Sequence, residues 1–285
     1  MKFRGKIVDI VCIQQFTNIV GTISKLVKTC IMRITEDKVF FILSERIGDG
    51  GAQMWCELDQ SHFFDEYAMD GVSAEANEIY LEVMPDLMLK ALKTAHSAKW
   101  IKLKLTKKNT PCLTMEIDLP TGGPHQRQVV HDIPVNVVPR KHWPDYTEPE
   151  MPKFDVSITM PQLKLMKNVI DKMKNLSNYL SLSANRSGEM KLSVETDMVA
   201  VSTHFQNLLN PTWGNQDGCQ ILQSSQGQEE FATARIDIRK FAQFLNGQQV
   251  NPKRVICNIV HHRMVHFFLM HEDLSLQYFL PVISR

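Results

Sequence analysis

Four segments of the chain repeat apolar residues with the 3.6-residue period of an α-helix. The clearest is residues 161–175, which begins with a proline, a residue suited to the first helical turn. The same period predicts helices at residues 10–29, 87–96 and 238–246. In the clearest segment the apolar face consists of Leu163, Met166, Val169, Ile170 and Met173.

Each predicted helix carries cationic residues away from its apolar face. An ordinary solvated helix has the same appearance, so one such helix decides little. Because the arrangement recurs in all four helices, we expect a shared positive surface, which suits phosphate backbones and contains nothing that selects bases. The candidate residues are Lys25, Lys28, Lys90, Lys93, Lys164, Lys167, Lys172, Lys174, Arg239 and Lys240.

Between the helices, apolar and polar residues alternate with the period of two that predicts β-strands. In the first half of the chain the strands are expected at residues 2–8, 31–35, 38–44, 52–58, 78–84, 100–106, 111–119 and 128–138. In the second half they are expected at residues 154–160, 179–184, 189–195, 198–205, 231–236, 254–261, 264–271 and 274–281.

The order of elements repeats after a proline-rich segment. Residues 139–153 contain four prolines among charged residues, a composition typical of a linker. On either side the order is strand, basic-backed helix, several strands, second basic-backed helix and more strands. The pattern therefore predicts an α+β fold with duplicated domains of mainly antiparallel sheet, whose four helices share one basic face, divided into domain 1–138, linker 139–153 and domain 154–285.

Length and charge agree with this organisation. The chain of 285 residues is long enough for two domains, each with its own core. A formal net charge of +1 excludes a uniformly basic surface, so positive charge must be concentrated on one face. Residues 208–229, rich in Gln, Asn, Ser and Gly, are expected to form a mobile loop.

The six cysteines are scattered without a Cys-x-x-Cys pair, which favours reduced core thiols and no zinc site. No segment approaches the roughly 20 apolar residues that span a bilayer, so neither membrane insertion nor secretion is expected. Basic runs reach only two residues, and no nuclear import signal is evident.

An enzyme would be the rival class, and the densest candidate cluster is His261, His262, His266 and His271. No carboxylate pair lies near it with metal-ligand spacing, so exposed or hydrogen-bonded histidines are the better interpretation. The glycine-rich residues 48–51 lack the Lys-Ser/Thr of a phosphate-binding loop and open no helix. We therefore predict no catalytic residue, no metal and no cofactor.

Several separated stretches, in one order along essentially the whole chain, carry a family resemblance. They resemble the Hus-one family, subunits of the heterotrimeric nine-one-one DNA-damage clamp with a PCNA-like fold. The stretches are Met1-Lys-Phe-Arg-Gly-Lys-Ile-Val-Asp9, Met54-Trp-Cys-Glu-Leu58, Gly71-Val-Ser-Ala-Glu75, Asn77-Glu-Ile-Tyr-Leu-Glu82, Ala91-Leu-Lys-Thr-Ala95, His131-Asp-Ile-Pro134, Gly247-Gln-Gln-Val-Asn-Pro252 and His271-Glu-Asp-Leu-Ser-Leu-Gln-Tyr-Phe279.

The resemblance implies a ring formed with the Rad-nine and Rad-one proteins, with antiparallel sheets outside and four helices lining the inner basic face. A clamp loader would place this ring around double-stranded DNA without sequence preference. It further implies a platform for checkpoint signalling and repair enzymes, located in the nucleus with a possible cytosolic pool. The ten cations would then face DNA, and Lys25, Lys93 and Lys174 are the preferred contacts. A homotrimeric replication clamp stays open as an alternative, as does a specialised paralogue, because residues 121–127 and 208–229 depart from the family.

Two further sites follow from the resemblance. Clamp subunits join by pairing edge strands, which here would be Pro111, Leu113, Met115, Ile117 and Leu119 in the first half and Tyr179, Leu180, Leu182 and Ala184 in the second. Client proteins dock beside the linker and the C-terminal tail, where Trp143, Tyr146 and Pro281 are candidate groove residues. Trp143 and Tyr146 could equally pin the linker to its own domain.

Overall fold

The fold was analysed in a computed structural model that describes residues 1–44, 51–120, 127–211, 230–247, 252–271 and 274–283. The four predicted helices are present, and a one-turn helix that the sequence pattern did not predict follows the fourth strand. The helices are α1 (Ile10–Leu26), α2 (Gln60–Phe63), α3 (Pro85–Leu92), α4 (Leu163–Met173) and α5 (Ile238–Gly247), with 3-10 turns at Lys93–Ala95 and Arg140–Tyr146.

The described residues form eighteen strands. The first half contains β1 (Lys2–Ile7), β2 (Cys30–Ile34), β3 (Lys38–Ser44), β4 (Gln53–Asp59), β5 (Glu66–Asp70), β6 (Ile79–Val83), β7 (Trp100–Lys107), β8 (Pro111–Leu119), β9 (Arg127–Pro134) and β10 (Asn136–Val137). The second contains β11 (Val156–Thr159), β12 (Tyr179–Ala184), β13 (Met190–Glu195), β14 (Ala200–Phe205), β15 (Ala232–Asp237), β16 (Arg254–Val260), β17 (Met264–His271) and β18 (Leu274–Pro281).

One predicted strand is divided in the structure, and one observed strand was not predicted. The strand expected at residues 128–138 is divided into β9 and β10 at Val135, whose N–H turns to donate to the carbonyl of Pro111 at 3.0 Å. Strand β5 was not predicted, because the charged residues Glu66 and Asp70 hide its alternation.

Within the described part of the chain, all strand pairs are antiparallel and form three sheets. The five-stranded sheet has the order β5-β1-β7-β8-β9, and the four-stranded sheet has the order β14-β13-β12-β15. The nine-stranded sheet runs β10-β6-β2-β3-β4-β18-β17-β16-β11 and passes from the first half to the second where β4 pairs with β18. Because this sheet crosses both halves, the domain limits at 138/139 and 153/154 stay predictions.

The strand order reveals the repeat. The set β6-β2-β3-β4 of the first half corresponds to β15-β12-β13-β14 of the second, and β1-β7-β8-β9 corresponds to β11-β16-β17-β18. Strand β5 is an addition to the first half. Apart from β5 and the short β10, which have no counterpart among the described strands of the second half, the duplicated arrangement extends to the neighbours of the strands with one difference: β4 and β18 pair with each other, whereas β14 and β9 do not.

The helices form a single layer under the sheets. Helix α1 packs against α3 and α5, and α5 packs against α4, so the row runs α3-α1-α5-α4 across both halves. The amide of Gln243 on α5 donates to the carbonyls of Lys25 at 2.7 Å and Leu26 at 3.1 Å, which ties α5 to the end of α1. These apolar faces join one hydrophobic core that extends through both halves. None of the helices in the described residues is long and apolar enough to cross a membrane.

Candidate nucleic-acid interface and subunit edges

The predicted cations lie on the helices of the row or directly after them: Lys28 and Lys174 follow the ends of α1 and α4, and Lys93 begins the 3-10 turn after α3. Eight of the ten are exposed, while Lys174 and Lys240 are half-buried. The exposed residues are Lys25, Lys28, Lys90, Lys93, Lys164, Lys167, Lys172 and Arg239. The structure therefore brings these side chains to one layer, although it does not test whether they touch DNA.

Carboxylates neutralise two of the lysines. Lys90 pairs with Asp86 at 2.7 Å and Lys174 pairs with Asp171 at 2.6 Å, each within one helical turn. Within the described residues no carboxylate lies in ion-pairing range of Lys25, Lys28, Lys93, Lys164, Lys167 or Lys172. Lys174, preferred from the sequence, is thus a weaker candidate than its unpaired neighbours on α4.

Positive charge is unevenly distributed along the helices. The exposed side of α1 begins with Val11, Gln14 and Asn18 and becomes basic only at Lys25. Lys25 on α1 and Lys90 on α3 lie in last turns, where a cation also interacts favourably with the helix dipole. On α4, in contrast, lysines occur from the first turn to the last.

The predicted subunit-edge strands are wrong. Strand β8 is paired with β7 and β9, and β12 is paired with β13 and β15, so neither has a free edge. Sequence alternation identifies a strand without giving its neighbours, and in both halves the following strands fold back beyond the chosen one. The misassigned residues that are fully buried in the core are Leu113, Met115, Ile117, Leu180, Leu182 and Ala184. Pro111, Leu119 and Tyr179 lie on the same two interior strands.

Among the described residues, the terminal strands of the two smaller sheets are β5, β9, β14 and β15. The outer edge of β15 is occupied, because the carbonyls of Thr233 and Arg235 accept from the N–H groups of His262 and Ile283, each at 2.9 Å. Strand β5 is short and charged. Strands β9 and β14 remain as the candidate subunit edges.

The linker residues act mainly as an anchor. Trp143 stacks on Tyr80 at 4.5 Å between ring centroids, and its Nε1 donates to the carbonyl of Val138 at 3.1 Å. Burial raises the pKa of the Tyr80 hydroxyl to about 12. Together with Tyr146, Trp143 packs on an apolar patch on the outer face of the nine-stranded sheet. The alternative that these aromatics pin the linker to its own domain is therefore the better interpretation.

A cavity of about 510 Å³ lies beside this anchor, between residues 145–152 of the linker and the sheet. Its lining includes Trp55, Glu148 and Phe279, and the buried Nε1 of Trp55 has no hydrogen-bond partner among the described residues. Pro281 lines a smaller cleft of about 200 Å³ next to it. Trp143 and Tyr146 line neither space.

The histidines do not assemble a reactive site. His266 is buried between Phe154 and Phe279, its Nδ1 lies 3.0 Å from the amide nitrogen of Asn258, and desolvation lowers its pKa to about 4. The rings of His261 and His262 lie 3.9 Å apart at an exposed turn. No group of three His, Cys, Asp or Glu side chains in the described part of the chain could hold a metal ion.

Three of the described thiols are unreactive core cysteines. Burial raises the pKa of Cys30, Cys56 and Cys257, as expected for core cysteines. Cys12, Cys30, Cys56, Cys112 and Cys257 are all free of disulfide bonds. Residues 48–50 of the glycine-rich segment, residues 212–229 of the expected loop and residues 272–273 lie outside the described residues.

Two solved structures of the proliferating cellular nuclear antigen (PCNA) are similar to this arrangement. The crystal structure of PCNA from Entamoeba histolytica matches with a TM-score of 0.71 at 10% identity over 99% of both chains. PCNA from Thermococcus kodakaraensis matches with a TM-score of 0.65 at 14% identity, covering 98% of this chain and 99% of that one. The fold is therefore that of the PCNA-like DNA clamps.

The sequence identifies the family within this class. The model of the Hus1-like protein family matches residues 1–284, and the chain belongs to this family. It is 51% identical to human checkpoint protein HUS1 over 284 residues, covering all of both chains. It is 29% identical to checkpoint protein hus1 of Schizosaccharomyces pombe over 93% of this chain and 91% of the other. Family and fold together define a checkpoint clamp subunit.

Proposed function

We propose that the protein is a non-catalytic subunit of a heterotrimeric ring that a clamp loader places around double-stranded DNA at damage sites. The other subunits would be the Rad-nine and Rad-one proteins, and the ring would act in the nucleus as a platform for checkpoint signalling and repair enzymes. The observation that carries this proposal is the pair of open edges β9 and β14, whose counterparts within the same chain pair with each other.

The registers align the two halves residue by residue. Glu82 and Arg235 are equivalent residues, because each lies three positions before a helix, α3 or α5. Starting from these two residues and moving from strand to strand through the cross-strand partners shows that Trp55 on β4 is equivalent to Ser202 on β14. The two paths are Glu82, Ile31, Ile42, Trp55 and Arg235, Ser181, Ser193, Ser202.

The residues five positions before α1 and α4, Gly5 and Ile158, align β9 with β18 in the same way and equate His131 with Tyr278. The two paths are Gly5, Leu103, Met115, His131 and Ile158, Cys257, Phe267, Tyr278.

Equivalent residues of β4 and β14 differ in burial, as expected if β14 lacks the neighbouring strand that β4 has in β18. On β4, Met54, Cys56 and Leu58 are fully buried under β18. Their equivalents on β14 are only half-buried, and they are Val201, Thr203 and Phe205. Pairing of β14 with the β9-type edge of another clamp subunit would repeat the internal junction. Such head-to-tail contacts generate a closed ring when the rotation between subunits allows it.

The same register favours different subunits over identical ones. In the internal junction Tyr278 lies opposite Met54, and Leu274 lies opposite Leu58. A junction between two copies of this chain would instead place His131 opposite Val201, and Arg127 opposite Phe205. Burying an imidazole and a guanidinium against apolar side chains is costly, so the two edges of this chain are poorly matched to each other.

The helix row supplies the DNA-facing surface in this proposal. Lys25, Lys93, Lys164 and Lys167 are exposed and free of ion pairs among the described residues, so they can release counterions from phosphates. No base-reading element is needed for a clamp that slides. The cavity beside the linker is the second candidate site, for clients such as repair enzymes, because it combines apolar walls with the unpaired Nε1 of Trp55.

The first experiment is the solution mass of the purified chain, alone and mixed with Rad-nine and Rad-one. We expect a monomer that forms a one-to-one-to-one complex. Thr203→Arg on β14 should prevent the complex, because its cation reaches water in the free chain but would be trapped in a closed junction. Ala68→Arg, on the edge strand β5, is the matched control and should assemble normally.

Other outcomes would contradict the proposal in distinct ways. A stable homotrimer would keep the clamp fold and move the function to replication. A chain that ignores both partners would reject ring membership, and assembly of Thr203→Arg as efficiently as the control would reject β14 as the edge.

A further inference from the structure

The turn between β13 and β14 presents an exposed methionine on an ordered tip. The N–H of Thr196 donates to the carbonyl of Val199 at 2.9 Å, and the Thr196 hydroxyl bonds both the carbonyl and the N–H of Val199 at 3.0 and 3.1 Å. Asp197 and Met198 form the tip. Met198 is 97% exposed and Val199 is 42% exposed. Isolated apolar side chains at surfaces are common, so exposure alone assigns no role.

The repeat shows what covers this position elsewhere in the molecule. The hairpins β3–β4 and β13–β14 close at the equivalent pairs Ser44–Gln53 and Glu195–Ala200. Gln53 and Ala200 are therefore equivalent. One position earlier in the chain, Ala52 corresponds to Val199, and two positions earlier, Gly51 corresponds to Met198. Gly51 is buried and Ala52 is only 3% exposed, so the counterpart of the exposed tip is enclosed in the internal junction.

The enclosing residues come from the opposite side of that junction. Gly51 lines the 200 Å³ cleft together with Arg263 and Met264, where the β16–β17 turn enters β17, and with Phe279 and Pro281 at the end of β18. A glycine contributes no side chain to this space. At the subunit junction the equivalent residue is a methionine, which is long and adaptable enough to fill an irregular apolar gap.

We propose that Met198 and Val199 form a second contact of the subunit junction, in addition to strand pairing. This inference rests on the proposed ring. Met198 enters an apolar cleft on the neighbouring subunit, between the end of its edge strand and the turn that precedes the adjacent strand. Val199 packs at the rim of the same cleft.

The partner that fits is a different clamp subunit. In this chain the residues equivalent to Met264 and Phe279 are Cys112 and Asp132. Asp132 accepts from Lys108 at 2.5 Å and from the Thr114 hydroxyl at 2.7 Å, and these two bonds keep its pKa below the ordinary range. The carboxylate therefore stays charged where Met198 needs an apolar wall. A second copy of the chain offers the wrong surface.

The test measures the dissociation constant of the full-length chain with purified Rad-nine and with purified Rad-one, by sedimentation or calorimetry. For the subunit that contacts β14, Met198→Ser should weaken binding about tenfold or more, because the burial of a methionine side chain is lost. Met198→Leu should bind within about threefold of the wild type, since it preserves an apolar side chain of similar volume. Met270→Ser, on an exposed methionine of β17, is the control and should not change binding.

A photo-crosslinking residue at position 198 provides a second measurement. Crosslinks should map to the end of the neighbour's edge strand and to its preceding turn. If Met198→Ser binds as tightly as Met270→Ser while Thr203→Arg fails to bind, the tip contact is rejected and the ring survives. If the wild-type chain binds neither subunit, both are rejected.

Discussion

The junction inside the chain and the open edges of the same chain share one architecture and differ in chemistry. Between β4 and β18, the inner layer pairs Tyr278 with Met54 and is fully buried. On the open edges, the equivalent residues are His131 and Val201, both half-buried. An edge that must remain soluble until its partner arrives cannot carry the full apolar surface of a permanent junction. The fully apolar junction between β4 and β18 is therefore formed when the chain folds, whereas the more polar edges β9 and β14 suit contacts formed later, during assembly.

The outer faces of the two halves show the same contrast. His266 opposite Phe279 in the second half corresponds to Thr114 opposite Asp132 in the first. The linker and the residue directly after it cover the first of these pairs: Phe154 stacks on His266 with ring centroids 5.5 Å apart, and Glu148 accepts from the Gln277 amide at 3.0 Å. Nothing comparable among the described residues covers Asp132, which is exposed and paired with Lys108. Burial by the linker thus decides whether this position is aromatic or charged.

The largest effect on the chain alone is expected from truncating one of two equivalent residues. Tyr278→Ala should lower the free energy of unfolding by about 3–5 kcal/mol, the range for a fully buried large aromatic side chain. His131→Ala should lower it by less than about 1 kcal/mol, because the side chain is half-exposed in the free subunit. Urea unfolding of both variants measures the difference. Equal losses of unfolding free energy in the two variants would mean that β9 is as buried as β18, and would contradict the contrast between the internal junction and the open edge.

The pH dependence of stability provides the next effect. The pKa of His266 is about 4 in the folded chain and near 6.5 when unfolded. Because the unfolded state binds the proton more tightly, stability is fully present above pH 6.5 and falls as pH is lowered from 6.5 to 4. The loss attributable to this group is about 3 kcal/mol, with no further loss below the folded pKa.

His266→Gln should remove this part of the pH dependence. The fall in stability between pH 6.5 and 4 should be correspondingly smaller in the variant, measured by urea unfolding at several pH values. Glu148 accepts a hydrogen bond from Gln277, which lies near His266. Because this and all other carboxylates are present in both proteins, the difference between the wild type and the variant reports on the histidine alone. Identical pH profiles would show that His266 is accessible to protons in the folded state.

The two open edges also show where sequence reasoning stops. Helical and alternating periods depend on which face of an element is buried, and they correctly located the four helices and most strands, such as β13 and β17. They contain no information about which strand lies beside which. Strands β8 and β12 were therefore mistaken for edges, although the terminal strands β9 and β14 of the same two sheets also follow from the alternating pattern.

The candidate site was predictable to a similar extent. The exposed lysines follow from the helical period, which places them opposite the buried face. The ion pairs of Lys90 and Lys174 join residues three or four positions apart, so they were visible as spacings with Asp86 and Asp171. The role of Met198 was not visible, because it depends on aligning two hairpins through their registers rather than on any local pattern.

The smallest effects are expected on the helix row, where lysines from the first and the second half should contribute equally to DNA binding. We expect Lys25→Ala with Lys93→Ala, and Lys164→Ala with Lys167→Ala, each to reduce the log-log salt slope of DNA binding by the assembled ring by about 1.8. This value is two phosphates at about 0.9 each. The ion-paired residues Lys90 and Lys174 form the control pair, and their replacement should change the slope less, since each already has a carboxylate partner. A change confined to one half would mean that DNA lies against that half alone, and an unchanged slope for both pairs would reject the helix row as the DNA-facing surface.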